Sequence, residues 1–202
     1  MTQPLRIEIL VFDGVDELDA LAPYRVLKGA IGAGAAFDVR LVTLTAADEV
    51  TASCGLRFRP DGVLGEPDVL VVPGGGWAAR AEVGAWGEAR RGAIPEAIRA
   101  QADRGATIAT VCTGAMLAAY GGVTSERNAI THHAAIEDLR ASGATIVMAR
   151  VVDDGDLISA GGVTSGLDLA LWLIERFAGA QIAAKVEANL EYERRGTVWR
   201  DA

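Results

Sequence analysis

The sequence predicts an α/β fold: a doubly wound, mostly parallel sheet flanked by helices, with one sharp strand-to-helix elbow. Three observations carry this reading. Short runs rich in β-branched residues alternate with helical stretches along all 202 residues. Several of those runs are apolar throughout, as in parallel strands covered on both faces. The run Ala106 to Val111 changes at Cys112 into the small, helix-forming stretch Thr113-Gly114-Ala115-Met116-Leu117, the pattern of a nucleophile elbow with Cys in place of Ser and without the Gly-x-Ser-x-Gly frame.

The elements follow in order. Leu5 to Phe12 is a first strand, and Asp13-Gly14 a turn. A helix follows, with Asp16, Glu17 and Asp19 in its opening turns, where acids complement the helix dipole. Pro23 requires that this helix start near it or bend there. Phe37 to Thr43 is a second strand. Val50 to Pro60 reads as a hairpin broken at Gly55, with Cys54 at the break in a structural role. Pro67 to Pro73 is a strand ending on Gly74-Gly75-Gly76, and Glu82 to Arg104 is mostly helical with a restart at Pro95-Glu96. After the elbow come a short strand Ala129 to His133, a helix Ala134 to Ala141, and extended pieces Ala144 to Met148 and Val151-Val152. The acidic turn Asp153 to Asp156 lacks the twelve-residue calcium pattern. Leu157 to Ala160 is a last strand, followed by helices Leu167 to Phe177 and Gln181 to Arg194.

Composition narrows the function. The length suits one sizeable core, so residues 1–202 are expected to form a single domain. No apolar run reaches the roughly 18 residues of a membrane span, and the first residues lack a signal-peptide pattern, so a cytoplasmic protein is expected. A net charge of −8 argues against nucleic-acid binding; Arg194, Arg195 and Arg200 read as a solvated or docking tail. Two cysteines without C-x-x-C spacing and two adjacent histidines, His132 and His133, do not make a metal site. No cofactor is expected.

In doubly wound sheets, ligands collect beyond the carboxyl ends of the strands. Four stretches meet there: Asp13 to Asp19, Gly74 to Trp77, Cys112-Thr113 and Ala160 to Thr164. A thiol, a carboxylate and a glycine nest are therefore expected to converge. The glycine triplet lacks the spacing of dinucleotide-binding and Walker loops, which leaves a nest of backbone amides suited to an anion or oxyanion. A thiol aimed at a helix N-terminus is expected to favour its thiolate. Asp16 and Glu17 read as solvated first-turn acids, and Asp168 as structural.

These residues resemble the ThiJ/PfpI superfamily over nearly the whole chain. The matching points are Asp19 four residues before Pro23, Val72-Pro73-Gly74-Gly75, Val111-Cys112-Thr113-Gly114, and Ala160 to Gly166 before Leu167-Asp168. Leu18-Asp19, Cys112-Thr113-Gly114 and Thr131-His132 look most like the isocyanide hydratase branch. PfpI-type peptidases place a His after the nucleophile, where this chain has Thr113. The resemblance implies a flavodoxin-like, class I glutamine amidotransferase-like fold and a homodimer. It implies that Cys112 is a nucleophile, that Asp19 hydrogen-bonds its sulfur and shuttles a proton, and that the N–H groups of Gly75 and Thr113 hold developing negative charge. Gly74, Gly76, Trp77, His132 and Gly162 are expected to line the pocket for a small electrophile, with Trp77 narrowing it. The implied reaction converts an isocyanide to an N-substituted formamide through a thioimidate. The alternatives are glyoxalase or deglycase-like chemistry on reactive carbonyls, and a non-catalytic redox-sensing or ligand-binding domain like the amidase-like domains of AraC-family regulators. The hydroxyl that the hydratase pattern Leu-Thr-Gly-Pro places beside the carboxylate is absent here, where the chain reads Leu21-Ala22-Pro23 after Ala20.

Overall fold

The computed structural model describes residues 3–200. In chain order the elements are β1 (Leu5–Leu10), α1 (Glu17–Ala33), β2 (Phe37–Thr43), β3 (Val50–Thr51), β4 (Arg57–Phe58), β5 (Gly62–Val63), β6 (Val69–Val72), α2 (Ala85–Arg91), α3 (Ala93–Asp103), β7 (Thr107–Val111) and α4 (Gly114–Tyr120). They continue with β8 (Asn128–Ala129), a 3-10 turn (His133–Ala135), α5 (Ile136–Ala141), β9 (Thr145–Ile146), β10 (Val151–Asp154), β11 (Leu157–Ala160), α6 (Ser165–Ala178), α7 (Ala180–Asn189) and β12 (Trp199–Arg200).

The main sheet has the order β12-β10-β11-β7-β6-β1-β2-β5. Its pairings are parallel from β11 through to β5; only β10 and β11 pair antiparallel. Helices α1, α6 and α7 pack together on one face, and α2, α3 and α4 on the other. Two-faced cover explains why β6 is apolar at every position and wholly buried. The chain leaves β1 toward β2 on one side, while β6 lies on the other. That switch sets the loops after the carboxyl ends of β1, β6 and β7 side by side, at the edge where doubly wound sheets hold ligands.

The predicted hairpin is present as β3 paired antiparallel to β4. Other expectations are corrected. Helix α1 begins at Glu17 under an Asp16 cap, six residues before buried Pro23, and runs on through it to Ala33, so the helix does not start near the proline. The restart within the helical stretch Glu82 to Arg104 falls at Ala93, after Gly92 in the left-handed conformation, and not at Pro95-Glu96. The strand expected at Ala129 to His133 shrinks to Asn128–Ala129, because His132 caps the following turn by accepting the Ala134 N–H. The last helix stops at Asn189 rather than Arg194.

The segment after it docks on the protein, although Arg195 and Arg200 stay exposed. Tyr192 Oη donates to Asp168 Oδ2 at 2.8 Å, the Arg195 N–H to Asp168 Oδ1 at 2.8 Å, and Arg194 pairs with Glu175 and Glu187. Asp168 also pairs with Arg150, which gives this buried acid a structural role. Among the described residues, no helix is long and apolar enough to cross a membrane, and no group of three or more His, Cys, Asp and Glu side chains is arranged to hold a metal.

Candidate active site

Cys112 directly follows β7 in the left-handed region, with φ of 55°. For a residue bearing a Cβ this costs about 1–2 kcal/mol, so the surroundings must enforce it. The Cys112 N–H is shared between the carbonyls of Ala160 (3.1 Å) and Gly161 (3.0 Å), and its carbonyl accepts the Thr131 hydroxyl at 2.9 Å. The turn that results leaves Cys112 buried, 6 % exposed, at the head of α4.

The four sequence-predicted loops do converge, and Gly74 is the knot. Its N–H donates to Asp19 Oδ2 at 3.2 Å, and its carbonyl accepts the Asp16 N–H at 2.8 Å, so the start of α1 is stitched to the glycine loop. A Cβ on Gly74 would lie 2.3 Å from Thr113 Oγ1 and 2.6 Å from the Thr113 nitrogen. Only glycine allows the loop and the elbow to meet this closely. The Gly75 N–H donates to Thr113 Oγ1 at 3.0 Å. That donor, expected to hold developing negative charge, is therefore engaged by the Thr113 side chain. The Thr113 N–H faces the Cys112 sulfur and favours its charged form.

Asp19 is fully buried. Its Oδ1 has no well-aligned partner, and the carboxyl acts on the Cys112 thiol at hydrogen-bonding range. Burial, and then the Asp16 charge, push its pKa up to about 8 against interactions with Cys112 and Gly74 that pull it down. Burial, and then the Asp19 charge, also push the Cys112 thiol up. This corrects the expectation of a thiolate favoured by the helix dipole: α4 has seven residues, and one aligned N–H does not outweigh desolvation beside a carboxylate. The two groups share protons and titrate as a pair.

His132 is half-buried, with Nδ1 accepting the Ala134 N–H at 3.2 Å. Its neutral ring therefore carries the proton on Nε2. Burial, and then His133, lower its pKa, while Asp16 opposes the shift. A Cβ on Gly162 would lie 2.1 Å from His132 Cδ2; the absence of a side chain there is what seats the ring against the Gly161-Gly162 loop.

Trp77 is not a pocket wall. It is 2 % exposed, its Nε1 donates to Asp138 Oδ2 at 2.7 Å, and it meets Trp86 and Tyr120 edge-on with centroids 5.0 Å and 5.8 Å apart. A buried indole N–H needs an acceptor, and Asp138 on α5 supplies it. Gly76 starts the turn beyond the nest, with its carbonyl accepting the Ala81 N–H.

Sequence reasoning misses several contributors. Glu17, expected in solvent, instead clamps the β3–β4 hairpin: its carboxylate accepts from Ser53 Oγ and from the N–H groups of Cys54 and Leu56. Asp16 caps α1 beside the reactive pair. The one signal for it is its position three residues before Asp19, where a cap side chain reaches the N–H of the acid it precedes. Asp138 acts across distant segments and leaves no local signal.

The comparisons agree with this fold. The DJ-1/PfpI family model matches residues 5–176. Isonitrile hydratase from Pseudomonas putida is 35% identical over 191 residues, 93% of this chain and 78% of that protein. Parkinson disease protein 7 homolog from Danio rerio is 28% identical over 192 residues, 92% of this chain and 96% of that protein. Among solved structures, a ThiJ/PfpI family protein from Pseudomonas syringae superposes with a TM-score of 0.83 at 24% identity, covering 96% of this chain and 77% of that one. Drosophila melanogaster DJ-1beta superposes with a TM-score of 0.81 at 23% identity, over 95% and 100% of the two chains. With its sheet order, its cysteine elbow and a family match across most of its length, the chain belongs to the DJ-1/PfpI family.

Proposed function

We propose that the protein is a cofactor-independent cysteine enzyme that hydrates isocyanides to N-substituted formamides. The observation that carries this reading is the buried Asp19–Cys112 pair, on a chain 35% identical to an isonitrile hydratase over 93% of its length. The chemistry needs a nucleophile and one proton that moves twice.

The active form is the pair that has lost one proton, with the Asp19 carboxylate facing the Cys112 thiol. As Cys112 Sγ forms a bond to the terminal isocyanide carbon, Asp19 takes the thiol proton and delivers it to that carbon, giving a thioimidate. Water then adds to the same carbon, and the Asp19 carboxylate takes one of its protons and passes it to the nitrogen. Collapse of the adduct breaks the C–S bond and forms the formamide carbonyl, while Asp19 carries the hydroxyl proton to the departing Cys112 sulfur. The sum is one isocyanide plus one water to one formamide, with the enzyme's protons restored. Because Asp19 titrates at about 8, turnover is expected to rise with pH through that value.

A second reading, addition of the thiol to reactive carbonyls, is favoured by the neutral, half-buried ring of His132 at the site. The test is product analysis with para-nitrophenyl isocyanide and with methylglyoxal, on wild type, Cys112→Ala and Asp19→Ala. Formamide formed by wild type and lost in both variants supports hydration. Lactate from methylglyoxal, lost in Cys112→Ala, with no formamide from the isocyanide, refutes hydration and favours the second reading.

A further inference from the structure

One acid at the site has no part in the chemistry above. Asp16 accepts the N–H groups of Leu18 (3.0 Å) and Asp19 (3.3 Å), both on Oδ1, and its own N–H is held by Gly74. It lies against the nest, since a Cβ on Gly75 would come within 2.6 Å of its nitrogen. It is half-buried, and among the described residues its Oδ2 accepts no hydrogen bond. Its charge reaches groups from three separate segments: Asp19 on α1, Cys112 on the elbow and His132 before the 3-10 turn.

The neighbouring charges are committed elsewhere. Asp13 accepts the Thr51 N–H, Glu17 holds the hairpin, Arg80 pairs with Asp138 over the Trp86 ring, and Arg150 pairs with Asp168. The charges that act most strongly on Cys112 and Asp19 are the carboxylates of this cluster, Asp19 and Asp16 on the thiol and Asp16 on Asp19. The field around the sulfur is therefore acidic in origin, in a chain whose net charge is already −8.

We propose that Asp16 is a specificity-determining residue: its carboxylate holds the approach to Cys112 at negative potential, admitting neutral and cationic electrophiles and turning away those that carry a carboxylate or phosphate. The inference rests on the reading of Cys112 as the reacting nucleophile and narrows the substrate class to uncharged or cationic isocyanides.

The test does not require turnover. The full chain bearing Cys54→Ser is alkylated at Cys112 with iodoacetamide and with iodoacetate, read by peptide mass spectrometry. The ratio of the two rates is normalised to that for 2-mercaptoethanol. Asp16→Asn keeps an Oδ1 acceptor, and Asn caps helices as well as Asp does; both reagents meet the same sulfur, so the ratio cancels any change in its nucleophilicity. Wild type is expected to prefer the neutral reagent more strongly than 2-mercaptoethanol does. Asp16→Asn should shrink that excess about three- to tenfold, and added salt should shrink it in wild type but not in the variant. An unchanged ratio, or equal slowing with both reagents, overturns the proposal and leaves Asp16 a cap alone. Failure of both reagents to label Cys112 in the folded wild type overturns it together with the nucleophile assignment. If the ratio shifts as expected while para-nitrophenyl isocyanide is not hydrated, the charge filter stands and the isocyanide assignment falls.

Discussion

Asp19→Asn is expected to stabilise the protein while abolishing its chemistry. The amide keeps both interactions: Oδ1 accepts the Gly74 N–H and Nδ2 donates to the Cys112 sulfur. What it removes is the ionisation. Asp19 has an ordinary value of 3.8 and titrates at about 8 in the folded chain, so the folded state binds the proton more tightly than the unfolded state. Its contribution to stability is present in full below the unfolded value and is lost as pH rises through the folded one. Each unit is worth about 1.4 kcal/mol, so the loss amounts to about 4 kcal/mol at pH 7 and levels off above about pH 8. Asn does not titrate. The stability difference between variant and wild type should therefore be near zero at pH 4 and grow to about 4 kcal/mol at pH 7, or about 8–16 °C in melting temperature for a chain of this size. Urea denaturation across that pH range measures it. A difference that stays constant with pH would refute the reasoning, because it would mean that the buried carboxyl ionises as readily as in the unfolded chain.

Two further outcomes follow from the same geometry. Thr113→Val leaves the buried Gly75 N–H without an acceptor and should cost about 1–3 kcal/mol in urea denaturation; Thr113→Ser, which restores the hydroxyl, should recover most of both stability and turnover. Gly162→Ala drives a methyl group to within 2.1 Å of His132 Cδ2 and should cost about 1–3 kcal/mol through overpacking. Adding His132→Ala should return part of that loss, so a double-mutant cycle that came out additive would show that the ring does not rest on Gly162.

Much of the fold was legible because it rests on local patterns. The runs that form β1, β2, β6, β7 and β11 are rich in apolar and β-branched residues, and the glycines and the acidic cap mark where strands give way to loops. The elements that depart from expectation lack such a pattern. The stretch after Asn189 has helix-forming residues, but Asp168, Glu175 and Glu187 hold its side chains and backbone in a non-helical path. Pro23 reads as a breaker, yet it is buried within α1 and lies beside α6, where a Cβ on Gly166 would be 3.3 Å from its ring.

At the site the division is the same. Residue order alone is enough to place a thiol, a carboxylate and a glycine loop beyond the carboxyl ends of adjacent parallel strands, because strand-to-helix alternation dictates which loops share that edge. What those groups do to one another emerges only once the chain is packed. Whether Cys112 is favoured as a thiolate depends on burial and on the nearest charge, and both are set by residues 93 positions apart in the chain, Asp19 and Cys112. Whether Trp77 faces a ligand depends on where α5 places Asp138. Desolvation and side-chain direction are properties of packed surroundings, and no local pattern of residue types encodes them.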